Sequence, residues 1–250
     1  MEFYNLGKDI VAFTTDRCQG RDMDKIQQNI IQHYPALDGA IGRGIYPHQT
    51  HTDRVFHITE QFLSLSSEEQ KAQLEGIDAV ISDVRNSILG ISTADCIPVL
   101  VYDPEHHAAA AIHAGWRGTV KRIVSKAVQE MSAAFNTDAT KCVAAIGPGI
   151  SFDSFEVGDE VGDAFMDEGF ELCGVSKRMP KMGDGAGSCM KLHLDLKEIN
   201  RQLLLELGIL ESNIIVSNID TFTDSRFFSA RREQKGNIKC GRILSGFVLH

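Results

Sequence analysis

Apolar residues recur along this chain at two spacings, and the spacing separates strands from helices. Short apolar runs predict strands at 9–15 (DIVAFTT), 77–82 (IDAVIS), 88–92 (ILGIS), 97–102, 108–113, 142–147 (CVAAIG), 213–218 and 243–249. The second and third of these flank a turn at Arg85 and Asn86. The run at 142–147 stops at Gly147, Pro148 and Gly149. Elsewhere the period is helical. Thr119 opens a helix in which Val120, Ile123, Val124, Ala127, Val128 and Met131 share one face. Residues 21–34 and 157–170 are amphipathic and predict two more helices. Leu196, Ile199, Leu203 and Leu207 mark another, closed by Gly208 in the position where helices favour glycine. Residues 174–191, rich in Gly, Lys and Met, predict a loop. Within it, Gly183, Gly185 and Gly187 only superficially imitate a dinucleotide fingerprint, and read as a mobile segment near substrate. Strands and helices do not alternate regularly. The expectation is an α+β fold with mixed sheets, not a doubly wound one.

The runs 97–102 and 108–113 form a hairpin around Asp103 and Pro104. Cys96 precedes the first strand and His113 ends the second, so pairing brings both to one edge of the sheet. A thiolate beside an imidazole suits nucleophilic catalysis or a zinc site. Each residue alone is more often structural. The pair and its neighbours shift that balance. Thr93, Ala94 and Asp95 add polar groups, while Gly115, Trp116, Arg117 and Gly118 supply a tight turn, a stacking ring and a cation at a helix start. Such a start suits an anion. The segment HQTHTDRV adds His48 and His51, which are three apart and face opposite ways on an extended chain. Only one of them easily joins the Cys–His pair, and two His with one Cys is a catalytic zinc pattern. Arg231 and Arg232, in RFFSARREQKGNIKCGR, are either a solvated turn or a clamp for phosphate or carboxylate.

Composition narrows the partners. Of 250 residues, 43% are hydrophobic and 24% charged, an ordinary globular mixture large enough for a substantial core. The net charge of −9, with no basic stripe, argues against nucleic acid. A small anionic substrate held by local arginines stays compatible with it. MEFYNLGKDIVAF lacks the pattern of a signal peptide, and no apolar run approaches the length of a membrane span. Cysteines at 18, 96, 142, 173, 189 and 240 include no C-x-x-C pair. They are expected to be free, mostly buried thiols of a cytoplasmic protein, taken as a monomer.

The segments QTHTDRV, TADCIPVLVYD, AAIHAGWRGTV, AIGPGIS with FEVGDEV, LDLKEINRQLL and FFSARRE with GR together resemble one family. It is the YfiH or multicopper polyphenol oxidoreductase (laccase-domain) family, also called peptidoglycan editing factor or laccase-domain purine nucleoside phosphorylase. The resemblance covers residues from about 10 to 248. It implies a single-domain sandwich over 1–250, with mixed sheets between helical layers, in the manner α/β/β/α. It implies zinc held by His51, Cys96 and His113, with His48 outside the motif. The implied activity is phosphorolysis of adenosine, inosine or methylthioadenosine to base and ribose 1-phosphate, with adenosine deamination alongside. Arg117, Arg231 and Arg232 are then candidates for phosphate, and Trp116 for stacking on the base. The family's early T-R-x-G-G is here Thr15-Asp16-Arg17-Cys18-Gln19-Gly20, with one glycine, and Arg17 is a further candidate for substrate or phosphate. Gly is often found after Q-x-H, where this chain has Thr52. The late Y-R-R-D-G is here Ala230-Arg231-Arg232-Glu233-Gln234, with both arginines kept.

Three other readings compete. A copper phenol oxidase needs about ten histidines, arranged in His-x-His pairs. This chain has 9 His and no such pair, although copper at the Cys–His site could support weak oxidation. A cysteine hydrolase would use Cys96 as nucleophile and His113 as base on an amide, as editing of peptidoglycan precursors requires. A binding protein without activity is the fourth reading.

Overall fold

In a computed structural model, residues 1–180, 189–236 and 240–250 are described. One sheet has five strands in the order β1 (Glu2–Tyr4), β2 (Ile10–Thr14), β14 (Ile243–Leu249), β6 (Ile88–Thr93) and β3 (Gly44–Ile45). A second has six, in the order β13 (Ile214–Val216), β9 (Val143–Ile146), β7 (Ile97–Asp103), β8 (Ala108–Ala114), β5 (Ala79–Ser82) and β4 (Val55–His57). Both mix parallel and antiparallel pairs. A small third sheet joins β10 (Glu156–Val157), β12 (Met190–Leu194) and β11 (Ser176–Pro180).

The two large sheets face each other, and alternation along the strands sorts their side chains into layers. Leu100 and Tyr102 of β7, and Ala109 and Ala111 of β8, pack against Ala12, Leu89 and Phe247 of the other sheet. The intervening Val99, Val101, Ala110 and Ile112 face outward, where α5 (Ile123–Phe135) and α7 (Leu196–Glu206) cover them. On the far side, α1 (Met23–His33) lays Ile26 and Ile30 over Val11, Phe13 and Val248. The result is the expected α+β sandwich, with order helix, sheet, sheet, helix. Short helices complete it: α2 (Glu60–Leu63), α3 (Ser67–Gln73), α4 (Trp116–Val120), α6 (Asp159–Asp167) and α8 (Ala230–Lys235). Among the described residues, no helix is long and apolar enough to cross a membrane.

Several expectations need correction. The strands on either side of Arg85 and Asn86 are present as expected, but in different sheets, β5 in the six-stranded one and β6 in the five-stranded one. The chain changes layer at Asn86, whose φ of 60° makes the bend. The helix from Thr119 is two helices, broken at Arg122 in the left-handed region (φ 57°). The loop at 174–191 includes β11 and the start of β12, and the Gly183–Gly187 motif lies outside the described residues. All six cysteines are free, but only Cys142 is fully buried, while Cys18, Cys173 and Cys189 are exposed.

Candidate metal centre and its cleft

The hairpin register pairs Ile97 with Ala114 and Pro98 with His113. Cys96 and His113 are therefore diagonal neighbours on one face, the face that looks between the sheets. The next strand extends the row. Ala79 of β5 pairs with Ile112, which sets Asp78 beside His113. The His113 N–H donates to the Asp78 carbonyl at 2.8 Å, and its ring Nδ1 lies 2.7 Å from Asp78 Oδ1. Three adjacent strands thus deliver a carboxylate, an imidazole and a thiol to one end of the inter-sheet layer.

His51 arrives from the loop before β4. The Asp78 carboxylate gathers that loop by accepting the backbone N–H groups of Thr50 (3.2 Å), His51 (3.0 Å) and Thr52 (2.8 Å), with the Thr52 hydroxyl at 2.7 Å. Successive N–H groups converging on one anion form a nest, and the residue bending it takes the left-handed conformation. That residue is His51, at φ 62°. Gln49 ties down the other side. Its amide pairs both ways with the Ser92 backbone, donating to the carbonyl at 2.9 Å and accepting the N–H at 2.7 Å. Cys96 is held through its neighbour Asp95, also left-handed at φ 80°. The Asp95 carboxylate accepts from Thr221 (2.7 Å), Ser229 (3.0 Å) and the Arg231 N–H (2.7 Å). Each such backbone costs about 1–3 kcal/mol and persists only where surrounding bonds over-determine it.

The ligand atoms of His51, Cys96 and His113 all lie within 4.8 Å of one another, with His51 Nε2 3.8 Å from Cys96 Sγ. Because Nδ1 of His113 faces Asp78, its Nε2 is left for a metal, as in a carboxylate–histidine–metal arrangement. A soft thiolate and two imidazoles, open on one side, make a donor set that could hold a metal ion. Gly115 keeps that side open. A Cβ there would sit 3.1 Å from Cys96 Sγ and 3.1 Å from His51 Cδ2. Its φ of −68° suits any residue, so the demand is for space. We expect Gly115→Ala to fold normally yet lose about tenfold or more in metal affinity, a loss within the range for a disturbed ligand shell. Unchanged affinity in a chelator competition would show that the space is not needed.

Charge is balanced inside the cluster. Burial of Cys96 favours the neutral thiol, but the adjacent imidazolium of His113 wins and brings it down to about 6. Burial likewise works against charge on His113, yet the Cys96 thiolate and Asp78 raise it to about 9. Asp78 is buried too, but hydrogen bonds from His113 and Thr52 hold it at about 2. A metal must displace the His113 proton at any pH below about 9, and the Cys96 proton as well below about 6. Metal affinity therefore climbs with pH. We expect about tenfold per unit between those two values, measured by competition titration, and a flat profile would contradict the ion-paired ground state.

The cluster opens onto a cleft of about 670 Å³, a size that suits a small organic ligand. Trp116, Ile150 and Phe155 supply apolar wall, and Arg21, Arg231 and Arg242 supply positive charge. Other predicted residues do not join the three-ligand cluster, although His48 lies on the cleft wall. His48 is exposed and bonds Glu75 at 2.8 Å. Arg117 lies on the Trp116 ring, 4.2 Å from its centroid, and is not part of the cleft wall. The helix that carries it, α4, is only five residues long. Arg232 is committed to the backbone, donating to the carbonyls of Thr221 and Phe222 at 2.8 Å each and also to those of Asp224 and Phe227. Arg17 pairs with the buried Glu233 and stacks over Phe228 at 4.5 Å. Sequence reasoning missed Asp78, Gln49, Arg21 and the space requirement at Gly115. The one available signal was an acid at the head of the apolar run IDAVIS.

Comparison with known proteins agrees with this architecture. A family profile described as multi-copper polyphenol oxidoreductase laccase matches residues 12–250. A purine nucleoside phosphorylase from Bacteroides thetaiotaomicron is 40% identical over 96% of this chain and 85% of its own length. An adenosine deaminase from an unknown prokaryotic organism is 40% identical over 81% of this chain and 73% of its own. Among solved structures, YfiH from Bacillus licheniformis superposes with a TM-score of 0.78 at 25% identity, over 96% of this chain and 93% of that one. YlmD from Geobacillus stearothermophilus gives 0.73 at 25% identity, over 97% and 92%. With its three-ligand cluster, its sandwich and these relatives, the chain is an enzyme belonging to the multi-copper polyphenol oxidoreductase laccase family.

Proposed function

We propose that residues 1–250 act as one laccase-type domain, a zinc-dependent purine nucleoside phosphorylase. It splits adenosine, inosine or methylthioadenosine with inorganic phosphate into the base and ribose 1-phosphate, and adenosine deamination is a companion activity. The observation that carries this reading is the His51, Cys96 and His113 cluster opening onto an arginine-bearing cleft. The names of the two 40% identical relatives support it. We further propose that the protein works as a cytoplasmic monomer on small molecules, in keeping with its free thiols.

Zinc, when bound, supplies a Lewis acid and lowers the pKa of water. The chain's own residues do the remaining work. Asp78 fixes the His113 tautomer and keeps Nε2 directed to the cluster. Trp116, Phe155 and Ile150 exclude water from the purine. Arg231, with Arg242, holds phosphate so that its oxygen can bond C1′ of the ribose as the bond to the base breaks. The departing base then takes up a proton.

The two neighbouring arginines should part company when replaced. Arg231→Met leaves stability unchanged and raises the KM for phosphate about tenfold or more, through loss of a charged hydrogen bond. Arg232→Met leaves buried carbonyls without a donor, lowering stability by about 1–3 kcal/mol with little change in that KM. Equal effects on KM would contradict the assignment.

The direct experiment incubates the zinc-loaded enzyme with adenosine, with and without phosphate, and resolves the products. Adenine and ribose 1-phosphate should form in equal amounts and only with phosphate. Absence of any base release sinks the phosphorylase reading. A second reading is favoured by the ion pair at Cys96 and His113, which is also the resting state of a cysteine hydrolase acting on amides. Chelation separates the two, because a metal-free thiolate remains a nucleophile.

Copper oxidation has less support. Among the described residues one cluster of this kind occurs, whereas a multicopper enzyme needs several.

A further inference from the structure

A second cavity, of about 530 Å³, adjoins the cleft and shares Arg21, Pro47 and His48 with it. No residue of the three-ligand cluster lines it, so the activity described above leaves it unused. Its chemistry is cationic. Arg21, Arg43 and Lys71 stand around it, and none of them pairs with a carboxylate among the described residues. The one acid among the described residues of its wall, Glu75, is turned to His48 at 2.8 Å. Arg43 is steadied by donating one Nη2 hydrogen to the Leu63 carbonyl at 2.6 Å, which leaves the rest of its fork free. Arg21 lies over the Tyr46 ring, 5.3 Å from the centroid. Three cations without a carboxylate partner among the described residues contrast with a chain whose net charge is −9.

We propose that this cavity binds a phosphorylated extension of the nucleoside, so that the cleft and the cavity together take purine nucleotides bearing a 5′-diphosphate or longer tail. The inference rests on the nucleoside reading of the cleft and extends its substrate class. Arg21, in the wall common to both spaces, contacts the phosphate nearest the ribose. Arg43 and Lys71 take the distal one, where the guanidinium fork suits a bidentate grip and the ammonium acts as a point charge.

The test measures binding by calorimetry on the zinc-loaded full chain, using adenosine, adenosine 5′-diphosphate and inorganic pyrophosphate. The expected result is that the diphosphate binds at least about tenfold more tightly than adenosine, as one charge-assisted contact provides. Arg43→Ala with Lys71→Ala should remove that gain and leave adenosine binding unchanged. Raising salt should weaken the nucleotide more than the nucleoside. The inference is overturned if the diphosphate binds no more tightly than adenosine, or if its advantage survives both substitutions. It is also overturned if pyrophosphate binds while the nucleotide shows no gain, since the cavity would then serve a free anion. Failure of adenosine itself to bind would instead count against the nucleoside reading.

Discussion

Asp78→Ala is expected to cost about 3–5 kcal/mol of stability and about 10–100-fold in metal affinity together. The carboxylate is fully buried and serves the Thr50, His51 and Thr52 N–H groups, the Thr52 hydroxyl and the His113 ring. Removing it strands several donors, at about 1–3 kcal/mol for each that finds no water, and the losses do not add in full. It also frees His113 to choose its other tautomer, and releases His51 from its left-handed backbone. Asp78→Asn tests the charge separately. It keeps the shape but turns an NH₂ toward some of the same donors, so affinity should fall with a smaller loss of stability. Urea midpoints and chelator competition measure the two quantities. A stable Asp78→Ala protein with unchanged metal affinity would refute the role given to this residue.

Cys96→Ser is expected to abolish nucleoside turnover, by a factor of about 10³ or more, while leaving the fold intact. The thiolate is the softest of the three ligands, and a serine hydroxyl remains neutral where Cys96 is ionised. Cys96 is half-buried and no apolar cluster depends on it, so little packing is lost. The informative pair of measurements is zinc stoichiometry and turnover on the same sample. Both should fall together, with circular dichroism unchanged. Turnover surviving at reduced metal occupancy would detach the chemistry from the cluster.

Much of this arrangement is legible in the sequence, for a definable reason. Strand alternation and a tight turn are local, so the Cys96–His113 pairing follows from residues 96–113 alone. Packing of α5 and α7 follows from helical periodicity in the same way. What is not legible depends on contacts between distant segments. Asp78 looks like a polar cap on IDAVIS, and its partners at 50–52 are found only when the loop folds over it. Arg231 and Arg232 are adjacent and chemically equal. About 100° of helical rotation separates them in α8, sending one to the cleft and the other to backbone carbonyls. Asn86 announces a turn, but no local signal says that the chain changes sheet there. Arg21 joins the cleft from a segment read only as an amphipathic helix, and its place becomes visible once α1 is docked.

In the function proposed here, nucleoside cleavage requires a metal held by His51, Cys96 and His113. The most direct test strips the purified protein with chelator, assays adenosine phosphorolysis, and then restores zinc in steps. Activity should vanish on stripping and return in proportion to zinc, reaching its plateau at about one ion per chain. Full activity in the metal-free protein would contradict that requirement and would point to Cys96 and His113 acting as nucleophile and base.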